Sequence, residues 1–467
     1  MAWQLDTEFT VGGGSPVRRY RFDNGLVVLA AQNRSAPIVA VQTWFRVGSR
    51  NEAPGATGLA HLFEHLMFGA TQTRPAGEFD RVVERTGGES NAATWVDWTY
   101  YRLTVPARDL ALALDLEHER MDCLALDPAA VEAERDVVTN ERRERVEDDV
   151  DGWLDEQLMA LAFTEHPYRW PTIGWMSDIR AVSLDTIREF YRTWYAPNNA
   201  ILVVVGDFAD DELLALVAAR QGSLLAASTP LALRPTEPVQ TEARMTRAAK
   251  PIATHRILIG YKAPSQHDPQ WAHLEILATL LAGCPSARLH RRLVIDTEIA
   301  SSVDAQLTPF AEPSLFRISI TCARGHDADE VLRVVDEELA RLINEPCSEQ
   351  ELQKAKHLAE TDFWSGIADI DGKAEALGHH ETALGDFRSV ALLATRLAEA
   401  TPADIHRAAQ QYFVPTSRSL VIADPDGDED GDDDEVDNDN EPTHEADADP
   451  LATREVVVTP TPQAVTT

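Results

Sequence analysis

The amino-acid sequence predicts an α+β protein of two homologous domains, each a mainly antiparallel sheet flanked by helices, followed by a disordered acidic tail. Segment 187–208 (IREFYRTWYAPNNAILVVVGDF) is similar to segment 405–425 (IHRAAQQYFVPTSRSLVIADP). Each has the pattern of a helix, an aromatic pair, a proline-marked turn and an apolar strand, which indicates a duplication rather than two unrelated endings. Strand-like runs are grouped with long helical stretches instead of alternating strictly with them, as is typical of α+β domains.

The first predicted domain comprises residues 1–225. The runs GLVVLAAQ and IVAVQTWFRVG predict strands near its start, and residues 108–122 have helical periodicity. Its most unusual segment is TGLAHLFEHLMFGAT, residues 57–71, which predicts a helix over 58–68 that ends before Gly69.

That short helix has one polar and one apolar face. His61, Glu64 and His65 fall within an arc of roughly 100° when each residue advances the helix by about 100°. Two histidines at i and i+4 can bind one Zn²⁺, and a glutamate on the same face can accept a proton from a metal-activated water. H-x-x-E-H is the inverted form of the zinc-peptidase motif H-E-x-x-H. The alternative, two half-exposed histidines and an ordinary surface glutamate, is disfavoured by the apolar residues on both sides.

A catalytic zinc site needs a third protein ligand, because such sites usually keep three protein ligands and one water. A helix that begins at Asp127 and Pro128 (DPAAVEAERDVVTNERRERVEDD) carries several candidate carboxylates. They are Glu132, Glu134, Glu141, Glu144 and Glu147. Glu134 and Glu141 are seven residues apart and share a face, but an exposed charged helix would explain these glutamates equally well, so composition alone does not choose among them.

The second half begins after a linker. Residues 226–248 (AASTPLALRPTEPVQTEARMTRA) are rich in Pro, Thr and Ala, which predicts that linker. The second predicted domain comprises residues 249–423, where HRILIGYKA and SLFRISITCA predict strands.

The charge of the chain limits its partners. The net charge is −35, and the predicted tail, residues 424–467, begins with a long run of Asp and Glu that cannot bury a core. An acidic protein repels nucleic acid, so we expect no nucleic-acid partner. No run of eighteen apolar residues occurs, so we expect no membrane span. The start, MAWQLDTEFTVGGG, lacks the pattern of a signal peptide. We therefore expect a cytoplasmic location, with a periplasmic one as the alternative.

Five segments of the chain resemble the inverzincin metallopeptidases of the pitrilysin and insulinase type, most closely the β-subunits of mitochondrial processing peptidases and their bacterial relatives. The segments are GLAHLFEHLMFGAT, GGESNAATWVDWTYY, ERDVVTNER, HPYRWPTIG and YAPNNAILVVVGDF. The resemblance implies a processing-peptidase-like metallohydrolase fold with an inactive C-terminal domain. It implies that His61, His65 and Glu141 bind zinc, that Glu64 is the general base and that Glu134 supports the site.

The resemblance also implies how a peptide substrate is held. In the family, the strand matching SNAATWVDWTYYRLTV (90–105) is a sheet edge near the metal, and the substrate adds to it as a further strand. Asn91 and Ala92 would then touch the substrate. The alternative is an ordinary strand that faces the core, in which Trp95 and Trp98 are packing residues.

The second half departs from the pattern of active single-chain members, which contribute an Arg and, seven residues later, a Tyr. Val294 and Ser301 stand at those positions, and Arg291 and Arg292 are out of register. The departure matches the zinc-bearing subunit of two-component members. We therefore expect a heterodimer with a related subunit that supplies the Arg and Tyr. A homodimer, or a site completed by another local residue, are the alternatives.

Together these observations predict a zinc endopeptidase that hydrolyses extended or unfolded peptides. One alternative is a non-catalytic, peptidase-like scaffold subunit of a larger assembly. Another is a zinc hydrolase of a different substrate class.

Overall fold

The computed structural model describes residues 2–12, 14–228 and 235–426. Most of the predicted acidic tail, residues 427–467, lies outside the described residues. None of the helices in the described part of the chain combines the length and apolar character needed to cross a membrane.

A seven-stranded sheet forms the centre of the first half. Its strands are β1 (Trp3–Thr10), β2 (Pro16–Phe22), β3 (Val27–Gln32), β4 (Ile38–Phe45), β5 (Glu89–Thr94), β6 (Thr99–Pro106) and β7 (Ala200–Gly206). The spatial order is β1-β2-β3-β7-β4-β6-β5, and every neighbouring pair is antiparallel except β3 with β7. Strand β5 is therefore an edge of the sheet.

A five-stranded sheet forms the centre of the second half. Its strands are β8 (Arg244–Lys250), β9 (Arg256–Ala263), β10 (Ala300–Leu307), β11 (Ser314–Cys322) and β12 (Arg418–Pro425), in the order β10-β11-β9-β12-β8. Strand β12 occupies the place that β7 has in the first sheet: it makes one antiparallel and one parallel pairing with its neighbours. The predicted α+β fold of two related domains with mainly antiparallel sheets is confirmed.

Strands of the second sheet extend beyond the predicted domain. Strand β8 begins at Arg244, inside the segment 226–248 that the sequence predicts as linker, and β12 continues to Pro425, inside the predicted tail. The two strands pair in parallel from Ser419 with Arg244 to Pro425 with Lys250. Hydrogen bonding to a neighbour keeps these polar residues in the sheet, although their local composition is that of a loop.

Helices cover the sheets. In chain order they are α1 (Leu59–Leu66), α2 (Glu78–Thr86), α3 (Leu110–Asp122), α4 (Pro128–Arg142), α5 (Val150–Ala162), α6 (Met176–Ala181), α7 (Leu184–Trp194), α8 (Asp210–Gln221), α9 (Trp271–Ala282), α10 (Ala328–Asn344), α11 (Glu349–Gly366), α12 (Ile370–Ala383), α13 (Ser389–Glu399) and α14 (Pro402–Tyr412).

The two halves exchange one helix each. Helix α12 of the second half packs on the first sheet against β4 and β7, and helix α5 of the first half packs on the second sheet against β9 and β12. Both faces of the central strands are thereby buried, which explains why β7 (AILVVVG) is a continuous apolar run instead of an alternating one. The exchange places the end of α4 and the start of α5 at the boundary between the halves.

Candidate metal centre

The residue that immediately precedes helix α1 is Gly58, and only a glycine fits at this position. Gly58 has φ +86°, and a Cβ on it would lie 2.5 Å from the carbonyl oxygen of Ile173. Gly174 also has φ +86° and would place a Cβ 2.5 Å from Gly58. Two glycines therefore let the chain before α1 and the segment HPYRWPTIG touch backbone to backbone.

The first turn of α1 is capped from the preceding loop. The buried Glu52 side chain accepts hydrogen bonds from the backbone N–H groups of Gly58 and Ala60, each at 2.8 Å. These are two of the donors that a helix start leaves without partners. The Thr57 hydroxyl donates to Asp178 at 2.8 Å and accepts from the backbone N–H of Trp175 at 2.9 Å. The start of α1 is thus held in place by two separate chain segments, the loop that carries Glu52 and residues 173–178.

The faces of α1 are those that the sequence predicts. The helix runs over Leu59–Leu66, slightly shorter than the predicted 58–68. Leu59, Leu62, Phe63 and Leu66 are buried in the core of the first half. The side chain of His61 is 10% exposed and that of His65 is 23% exposed, so both rings are largely shielded from solvent.

Glu141, near the end of α4, reaches both histidines of α1. Its Oε2 lies 3.2 Å from Nε2 of His65 and 3.6 Å from Nε2 of His61. Within the described residues, these three side chains form the one group of His, Cys, Asp and Glu whose ligand atoms lie close enough together to hold a metal ion, all within 4.8 Å of one another. Of the five glutamates that the sequence leaves open on this helix, the geometry favours Glu141.

The polar atoms of this cluster fit a metal ion. Glu141 Oε2 and His61 Nδ1 are buried and have no hydrogen-bond partner. Beyond its 3.2 Å approach to Nε2 of His65, this buried carboxylate oxygen has nothing to satisfy it, and an ion between the three side chains would remove that cost. Two imidazoles and one carboxylate are a donor set that Zn²⁺ takes in catalytic sites.

Two further charged side chains adjoin the cluster. A carboxylate oxygen of Glu134, one heptad before Glu141 on α4, lies 3.7 Å from Nδ1 of His65. Arg145 lies 3.0 Å from Oε1 of Glu141, the oxygen that does not face the histidines. Arg145 was not among the residues that the sequence singled out, because an exposed arginine in a charged helix gives no signal of its own.

The two histidines differ in proton affinity. Burial lowers the pKa of His61 to about 4, so this ring is neutral at pH 7. Burial alone would also lower the pKa of His65, but the hydrogen bond and charge of Glu141, together with the charges of Glu64 and Glu134, outweigh burial and raise that pKa above its usual value. Through the same contact, His65 lowers the pKa of Glu141. A neutral ring and an ionised carboxylate are the forms that bind metal.

Glu64 lies on α1 between the two histidines and beside the end of β5. Burial raises its pKa, and the nearby hydroxyl of Thr94 offsets part of this effect. A raised pKa makes this carboxylate a stronger base, which suits it to accepting a proton and then returning it.

Strand β5 carries the two predicted substrate-binding residues on the open edge of the first sheet. Asn91 is exposed, and its side-chain oxygen accepts a hydrogen bond from the backbone N–H of Ala92 at 2.8 Å. Ala92 is half-buried and packs against the core of the first half. The edge position agrees with the expected arrangement, and contact with substrate stays a prediction.

The second half places no arginine or tyrosine at the positions that the family pattern requires. Val294 lies in a π-helical segment, His290–Asp296, and packs against the second core. Ser301 is exposed on β10. The two nearby arginines already have partners: Arg291 lies 3.4 Å from Asp296, and Arg292 lies 2.8 Å from Glu338.

Comparison with known proteins gives two family matches. The family described as Insulinase (Peptidase family M16) matches residues 27–174, and the family described as Peptidase M16 inactive domain matches residues 181–358. Zinc protease PqqE of Helicobacter pylori is 30% identical over 412 residues, which are 86% of this chain and 91% of that protein. The mitochondrial-processing peptidase subunit beta of Lentinula edodes is 25% identical, over 83% of this chain and 86% of that one. The crystal structure of a protease from Helicobacter pylori has a TM-score of 0.84 at 29% identity and covers 88% of this chain and 100% of its own.

Proposed function

The chain belongs to the insulinase family of peptidases, M16, and from this premise we propose that it is a zinc-dependent endopeptidase that hydrolyses extended or unfolded peptides. The observation that carries the proposal is the meeting of His61 and His65 on α1 with Glu141 on α4, their ligand atoms within 4.8 Å of one another. The relatives named zinc proteases support the same metal.

His61, His65 and Glu141 would hold the zinc ion. When bound there, zinc supplies Lewis acidity, which makes a water nucleophilic near neutral pH and polarises the peptide carbonyl. Glu64 then acts as general base: it accepts a proton from the attacking water and returns it to the departing amine. Its raised pKa suits both steps.

The residues around the ligands position them. Glu134, 3.7 Å from His65 Nδ1, fixes the orientation of that ring. Arg145, 3.0 Å from Glu141 Oε1, holds the second oxygen of the carboxylate away from the histidines, so that Oε2 is the atom available to the metal.

A peptide would bind along β5. The outer side of an edge strand offers unpaired backbone groups to an added strand, and the pockets beside it select side chains. Asn91 and Ala92 lie on this strand, and its last residue, Thr94, adjoins Glu64. A peptide added here would pass the general base.

We further propose that the active form is a heterodimer with a related subunit that lacks H-x-x-E-H and supplies an Arg and a Tyr. Val294 and Ser301 stand where the family pattern has these residues, and Arg291 and Arg292 are engaged in ion pairs. One relative is by its name a subunit, the mitochondrial-processing peptidase subunit beta. The cytoplasmic location stays a prediction.

The second candidate function is a non-catalytic scaffold subunit. The match of residues 181–358 to a family described as an inactive domain supports it for the second half. The first half speaks against it, because a scaffold does not need two imidazoles and a carboxylate converging on one point beside a buried glutamate.

The test measures cleavage of quenched fluorescent peptides by the purified chain, alone and mixed with a candidate partner subunit from the same host. We expect cleavage that stops with a chelator and returns with stoichiometric zinc. Absence of bound zinc, or cleavage that survives removal of zinc, would reject the metallopeptidase assignment. Full activity of the chain alone would reject the partner requirement and leave the reaction intact.

A further inference from the structure

An apolar pocket of about 200 Å³ lies where the two halves meet. The residues that line it include Trp95, Met159, Trp170 and Ile173 of the first half and Phe310 of the second half. The volume exceeds that of a large apolar side chain by a modest margin. It is far too small for a folded partner.

The pocket lies close to the metal centre along two chain segments. Trp95 directly follows Thr94, the last residue of the edge strand β5. Val146, which also lines the pocket, comes five residues after Glu141, in the π-helical segment Arg143–Glu147 that continues α4, so at no more than about 1.5 Å of rise per residue the two positions are within roughly 7 Å along the axis. An extended peptide advances about 3.3 Å per residue, so two to three residues span this interval.

An ion pair separates the pocket from a polar groove of about 540 Å³. Asp155 on α5 pairs with Arg317 on β11, and both residues line the pocket and the groove. Arg145, which contacts Glu141, lines the groove as well. Two carboxylates line the pocket, and both have arginine partners: Asp155 pairs with Arg317, and Glu156 pairs with Arg142 at 2.8 Å, so neither is free to select a basic side chain. The rest of the pocket wall is mainly aromatic and aliphatic.

We propose that this pocket is a selectivity site for the peptide substrate and takes one aromatic or large aliphatic side chain, two to three residues from the bond that is cut. The inference rests on the proposed peptidase function and specifies its substrate class. Met159 adapts the pocket to different shapes, because its thioether side chain is unbranched and flexible.

The experiment uses the full-length, zinc-loaded protein with Glu64→Gln, so that peptides bind without being consumed. Fluorescent decapeptides carry a single Phe that is moved along an Ala–Ser background, and fluorescence anisotropy gives their dissociation constants. We expect one Phe position to bind about tenfold more tightly than the same peptide with Ala there, because an aromatic side chain leaves water.

Variants of the pocket identify where this advantage arises. Thr172→Phe, on the pocket wall, should remove the advantage, and Thr361→Phe, exposed on α11 outside the pocket, should keep it. Met159→Ala enlarges the pocket and should shift the preference from Phe to Trp, which tests the site even where Thr172→Phe fails to fold. Equal binding of Phe and Ala peptides at every position, or an advantage that survives in both pocket variants, would overturn the proposal.

The outcomes separate this inference from the function on which it rests. If the wild-type chain with its partner cleaves the peptides but shows no preference for Phe, the pocket is rejected as a selectivity site and the endopeptidase function is kept. If both pocket variants alter selective binding but the wild type cleaves no peptide, the pocket is supported as a selectivity site and the endopeptidase function is rejected.

Discussion

Nε2 of His65 on α1 lies 3.2 Å from Oε2 of Glu141 on α4, although the two helices begin 69 residues apart, at Leu59 and Pro128. Glu141→Gln keeps the shape of the side chain and removes its charge. We expect zinc affinity to fall by at least about 100-fold, since one of three ligands becomes a weak neutral donor. Metal analysis after dialysis against a weak chelator measures the loss.

The matched control for Glu141→Gln is Glu132→Gln on the same helix, where the carboxylate is 63% exposed and 3.7 Å from Arg135. It should retain zinc at the wild-type level. Retention of stoichiometric zinc by Glu141→Gln would show that the ion is held elsewhere.

Glu64→Gln tests the proton transfer separately from metal binding. Glu64 is not one of the three converging ligands, so the variant should bind zinc normally while kcat falls by about 100- to 10,000-fold, the range that general base catalysis contributes. Peptide cleavage and metal content are measured on the same preparation. Wild-type turnover by this variant would remove Glu64 from the mechanism.

The sequence predicts the metal ligands and the general base of this site better than it predicts the residues that hold their helices in place. H-x-x-E-H is visible because i and i+4 positions on one helix are local, and the helix that carries Glu141 begins with a readable Asp-Pro cap. Glu52 and the contact of Gly58 with Gly174 gave no signal, because each depends on segments that only the fold brings together. The exchange of α5 and α12 between the halves is hidden for the same reason: amphipathic periodicity shows that a helix has a buried face, and not which sheet covers it.

Zinc affinity should depend on pH through His65. The contact with Glu141 raises the pKa of His65, whereas the pKa of His61 is lowered to about 4. Below the raised pKa, zinc must displace one proton from His65 and none from His61. Apparent affinity should therefore fall about tenfold per pH unit between about pH 6 and pH 5. Competition with a chromophoric chelator, corrected for its own protonation, measures the slope. A hundredfold loss per unit would mean that both rings titrate there.

Glu52 should stabilise the fold and the zinc site together. Glu52→Ala leaves the buried N–H groups of Gly58 and Ala60 without their acceptor, which should cost about 2–4 kcal/mol of the free energy of unfolding. Glu52→Gln keeps one acceptor oxygen and should lie between the alanine variant and the wild type. Urea unfolding with excess chelator measures the fold alone, and zinc titration then measures the site. Equal stability of all three proteins would show that this cap does not hold α1.

The packing of α12 on the first sheet can be tested at one glycine. A Cβ on Gly378 would lie 2.2 Å from Nε1 of Trp44, a fully buried side chain of β4 that also stacks on Tyr100 at 4.1 Å between ring centroids. Gly378→Ala must push the helix away from the sheet and should lower the free energy of unfolding by about 1–3 kcal/mol. Gly366→Ala, at the end of α11, is the control, because a Cβ there meets nothing within 4 Å. If urea unfolding finds the two variants equally stable, α12 does not lie against Trp44, and the halves are not joined by an exchanged helix on this side.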